Sequence, residues 1–82
     1  MITKDSIESA YCFFHQKQRV YLYSTMEWQK DDIEWAIADY ADNMDAELYA
    51  LLADGRTDFL RDHKRFPADI DQAVAQLSQL MS

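Results

Sequence analysis

Apolar positions recur with the three-to-four spacing of an α-helix in three stretches of this chain. In the first, Ile7, Ala10, Tyr11, Phe14 and Tyr21 share one stripe, and Thr3 or Asp5 can cap its start. Arg19 to Tyr23 has strand-like alternation of Val and aromatics, but no second run of that kind is present to pair with it. The pattern therefore predicts a helix over 4–23. In the second stretch, Ser24 followed by Glu27 has capping-box form, with Tyr23 and Trp28 placed to form a hydrophobic staple. Asp31 and Asp32 offer a rival start. Ile33, Ala36, Ile37, Tyr40, Ala41 and Met44 then continue the stripe, predicting a helix over 25–43.

Beyond it, Asp45 can cap a helix over 45–54 that carries Leu48, Leu51 and Leu52 and ends at Asp54-Gly55. Thr57 is placed to cap a short helix over 57–64. Pro67 suits a first turn, so the third stripe, Ile70, Ala73, Val74, Leu77, Leu80 and Met81, predicts a last helix over 67–81. The expected fold is all-α: a small irregular bundle of four helices plus one short helix, forming one compact domain over 1–82. The expected core is Ile7, Phe14, Ile33, Ile37, Tyr40, Leu48, Leu52, Phe59, Ile70, Val74 and Leu77.

Length and composition narrow this further. A chain of 82 residues that is 49% hydrophobic has the material for one small core. A single Gly and a single Pro leave too little turn chemistry for a many-stranded sandwich or barrel. The net charge is −7, and the excess is concentrated: residues 27–58 hold ten acids against only Lys30 and Arg56. That balance is the opposite of what binds nucleic acid or an anionic membrane surface. Cys12 is the one cysteine, which fits a reducing compartment. The start of the chain lacks the basic segment and unbroken apolar run of a signal peptide, and no run approaches a membrane span. A cytoplasmic location is expected, with no direct nucleic-acid or membrane binding.

Candidate chemistry is sparse. Glu8, Cys12 and His15 share one helical face and are reasonable zinc ligands, yet a buried Cys and a boundary His are the better account of them. His63, beside Asp62, reads as part of a charged cluster with no nucleophile placed next to it. Asp39, Asp42 and Asp45 are spaced like calcium ligands, but Met44 stands where a calcium loop needs its sharp-turn Gly. The helix–Gly–helix pattern around Gly55 outlines a helix-turn-helix, against which Asp58 and Asp62 would repel phosphates. No catalytic, cofactor-binding or metal-binding residue is expected, and no enzyme.

Two features remain. Aromatic residues crowd 11–35, more than a core this small readily buries, and exposed aromatics serve interfaces. Phe13 cannot fully share the stripe of Phe14, and Trp35 flanks the Ile33–Ile37–Tyr40 stripe. The acidic middle is the other feature, read either as a solvated face with acids that suit helix first turns or as an electrostatic surface for a basic partner. The expected function is a protein–protein interaction module, self-associating as a homodimer through the aromatic-rich first and second helices. The alternative is an acidic effector, or nucleic-acid mimic, that occupies a basic surface on a partner protein. The candidate contact residues are Phe13, Tyr21, Tyr23, Trp28 and Trp35 with Asp31, Asp32, Asp39 and Asp42.

Overall fold

A computed structural model describes residues 2–81, so the first and last positions of the expected 1–82 domain lie outside the described residues. Thr3 opens helix α1, Lys4–Tyr23, with a reciprocal cap: its hydroxyl accepts from the Ser6 amide, and Ser6 Oγ accepts from the Thr3 amide. The helix runs through the strand-like segment and stops where predicted. Ser24 closes it, its hydroxyl donating to the Val20 carbonyl at 2.7 Å and its amide to that of Tyr21.

That role removes Ser24 from the start of the next helix. Helix α2, Glu27–Asn43, has Met26 as its N-cap and no side-chain hydrogen bond there. The predicted capping box is therefore absent. So is the staple, since Tyr23 and Trp28 are both exposed. Helix α3, Ala46–Ala53, is capped as its sequence suggests, Asp45 accepting from the amides of Glu47 and Leu48. It ends with Asp54 in the left-handed region (φ 51°) and Gly55 following at φ 86°.

The predicted helix over 57–64 does not form. Residues 56–62 are turns, and the short helical piece is a 3-10 turn, His63–Arg65, that leads directly into α4, Phe66–Met81. Its cause is a tertiary contact. Asp69, in the first turn of α4 and only 1% exposed, accepts the Leu60 amide at 3.0 Å and holds the Arg56 guanidinium. Leu60 is consequently left-handed (φ 64°), a conformation that interrupts a helix. Phe59 and Leu60 both turn inward and are buried. The Tyr49 hydroxyl adds a bond to the Phe59 carbonyl at 2.8 Å.

Helix α1 packs along α4; α2 lies against α1 and α3 against α4. One contiguous core joins them. Of the expected core, Phe14, Ile33, Ile37, Leu48, Leu52, Phe59, Ile70 and Leu77 are buried, while Ile7, Tyr40 and Val74 pack at its margin. The core also contains Tyr21, Leu60, Phe66 and the small residues Ala10, Ala41, Ala53 and Ala73, which let the helices approach closely. Among the described residues no strand is present, and no helix is long and apolar enough to cross a membrane.

Candidate interaction surface

Helix α2 positions most of the candidate residues. Its inner face is narrow: Ile33, Ile37 and Ala41, each four residues from the next, are the positions it buries. At about 100° per residue, Trp28, Asp31, Asp32, Trp35, Asp39 and Asp42 all fall within about 50° of one line on the opposite side. Trp35 therefore does not flank the apolar stripe. It lies about 200° from Ile33 and Ile37, and is 72% exposed. Trp28, seven residues earlier and on the same line, is 58% exposed. Two indoles about 10.5 Å apart along the axis thus stand on the outer face with carboxylates between and beyond them.

The remaining candidates divide. Tyr23, 81% exposed, lies at the α1–α2 junction, where Val20, Leu22 and Met26 are also exposed. A groove at this junction is lined by Gln16, Arg19, Val20, Tyr23, Ser24 and Gln29. Tyr21 is not available to a partner. It is 7% exposed, packs on Phe66 with ring centroids 5.1 Å apart, and has the Lys30 ammonium over its face. Burial, then the charges of Glu34, Glu27 and Asp31, push its phenol above the usual value. Phe13 is also engaged inside the molecule, stacked on Tyr40 at 4.1 Å and half-buried. Asp42 is ion-paired with Arg61.

Beside the outer face, His63 reaches α2. Its Nδ1 lies 2.8 and 2.9 Å from the two carboxylate oxygens of Glu34. The hydrogen bond to Glu34 and that group's charge raise the imidazole above its ordinary value, with smaller help from Asp31 and Glu27. The His63–Glu34 pair ties the turn before α4 to α2. Asp62, which the sequence sets next to His63, instead caps the 3-10 turn by accepting the Lys64 amide. Asp31, Glu34 and His63 present ligand atoms within 4.8 Å of one another, the one such group among the described residues. Two of its members are exposed, and Glu34 and His63 are bonded directly to each other.

The other candidate chemistry does not assemble among the described residues. Cys12 is exposed and His15 stacks on Tyr11, so Glu8, Cys12 and His15 do not converge. The cleft at His63 is lined by Asp31, Glu34, Trp35, Ala38, Leu60, Arg61 and Phe66, which include no Ser, Thr or Cys. Turns rather than a helix follow Gly55, so no helix-turn-helix skeleton forms. No family model, curated protein or solved structure matches this chain.

The sequence missed the His63–Glu34 pair because 29 residues separate its partners. The exposed position of Val20 had a signal, since it lies well off the Ile7–Ala10–Phe14 stripe.

Proposed function

We propose that this protein is a non-enzymatic protein-interaction module whose contact surface is the outer face of α2, extended by the apolar end of α1. The observation that carries the reading is the pair Trp28 and Trp35, two turns apart and both exposed, in a chain that buries Phe14, Phe59 and Phe66 completely. Large indoles exposed on a rigid helix fit the anchor residues that dominate interface energetics. Tyr23 and Met26 lie close enough in sequence to enlarge the apolar area. The expected homodimer is one form of this reading, and docking on a basic partner is the other.

The test is molar mass by light scattering behind a sizing column, at low salt and in molar NaCl, for the native protein and for Trp28→Ala/Trp35→Ala. A salt-resistant dimer that the double substitution returns to monomer supports the self-associating form. A monomer in both buffers removes it and leaves the surface to a partner. A dimer indifferent to both substitutions places the contact elsewhere and defeats the assignment to α2.

A further inference from the structure

Resting on that reading, we infer that the occupant of the α2 outer face is a basic amphipathic helix of another protein, with arginines facing the Asp–Trp stripe, rather than a second copy of this chain. The argument begins with charge. Asp32 and Asp39 lie on the exposed line with Trp28 and Trp35, and Asp31 borders it. Beside this face Arg61 is engaged by Asp42 and His63 by Glu34, while Lys30 lies on the opposite side of α2, over the Tyr21 ring. A two-fold contact through such a face is isologous and sets this acidic stripe against its own copy. Like charges placed together in an interface oppose association. A basic occupant converts the same carboxylates into attraction and speeds encounter.

Spacing then selects a helix. The two indoles are about 10.5 Å apart, which is the rise of one seven-residue repeat in a helical partner. An extended strand repeats on one face only every ~6.7 Å and cannot meet both indoles in register. Area agrees. From Trp28 to Asp39 the face is about 17 Å long and one helix wide, a strip suited to a single helix. Arginine is favoured over lysine because a planar guanidinium stacks on an indole face while donating to a neighbouring carboxylate.

The probe is a synthetic helix-forming peptide carrying Leu at a seven-residue repeat and Arg three and four residues after each Leu. A peptide of the same composition in scrambled order is the control. Binding to the full chain is read by tryptophan fluorescence and by calorimetry, and circular dichroism confirms that each variant keeps its helices.

The patterned peptide is expected to bind at least roughly tenfold tighter than the scrambled one. Trp35→Ala should weaken it about thirtyfold, as loss of a central anchor does. Asp32→Asn/Asp39→Asn should weaken it roughly tenfold at low salt, with the difference vanishing in molar NaCl. Equal binding of the two peptides, or binding indifferent to the Trp35 and Asp substitutions, overturns the inference. Absence of peptide binding together with a Trp-dependent dimer also overturns it while leaving the interaction module standing. Absence of both overturns the inference and removes the self-associating form of the module as well.

Discussion

Helices α2 and α4 are nearly equal in length, 17 and 16 residues, yet they use their side chains in opposite ways. Helix α4 turns its large apolar groups inward up to Leu77 and leaves Leu80 and Met81 exposed at its end. Phe66, Ile70, Ala73 and Leu77 are buried at helical spacing, and Asp69 among them holds the preceding turns. Helix α2 buries two isoleucines and an alanine and carries both of its tryptophans outside. A core that contains Tyr21 and three phenylalanines does not lack ring volume, so the exposed indoles are not a packing shortfall. The difference separates the helix that organises the fold from the helix that faces outward.

The strongest way to break this comparison is to truncate one residue on each face of α2. Ile37→Ala removes a fully buried side chain and should cost about 2–5 kcal/mol in urea unfolding. Trp35→Ala, a larger truncation on the outer face, should change stability by no more than about 0.5 kcal/mol. Similar costs for the two would mean that Trp35 packs in the fold and that the two-faced description of α2 is wrong.

Next in size is the polar hub of α4. Asp69→Ala leaves the buried Leu60 amide without its acceptor, at a cost of about 1–3 kcal/mol. Asp69→Asn keeps an oxygen for that amide but loses the charge facing Arg56, so it should fall between native and Ala in the same assay. If Asp69→Ala is as stable as the native chain, the turns over 56–62 do not depend on α4.

A smaller effect of opposite sign is expected at the start of α2. Met26→Asp supplies the side-chain acceptor that this N-cap lacks and should raise the unfolding free energy by about 0.5–1 kcal/mol. No gain would show that the first turn of α2 is already satisfied.

The smallest effect is the pH dependence of the tie between α2 and the turn before α4. The folded-state His63 value is raised, so its contribution is fully present below the unfolded value of about 6.5. It is lost as pH rises through the higher folded value. The stability difference between native protein and His63→Ala should therefore be larger at pH 6 than at pH 9, and equal differences would show the pair to be without weight.

Helices α1, α2 and α4 were legible from their periodic stripes, and α1 and α3 also from local signals: Thr3, Asp45 and Asp54-Gly55 act where the sequence places them. The failures have long-range causes. Thr57 to His63 reads as helix until Asp69, nine residues beyond Leu60, draws that amide into a left-handed turn. Ser24 and Glu27 spell a cap, but the same Ser can close the preceding helix, and does. In the surface, the opposition of Trp35 to Ile37 was available from angle alone, as was the burial of Tyr21 on the α1 stripe. The engagement of Asp42 by Arg61 and of Glu34 by His63 was not, because each pair meets only after the chain folds back.

The Asp69–Leu60 contact also bears on how the molecule opens. Segments without regular structure ordinarily exchange their amide protons through small local fluctuations. The Leu60 amide instead points into the core, and its acceptor belongs to the helix against which α1 and α3 pack. Releasing that proton requires α4 to part from the turns before it, so an irregular stretch of chain shares the protection of the core helix.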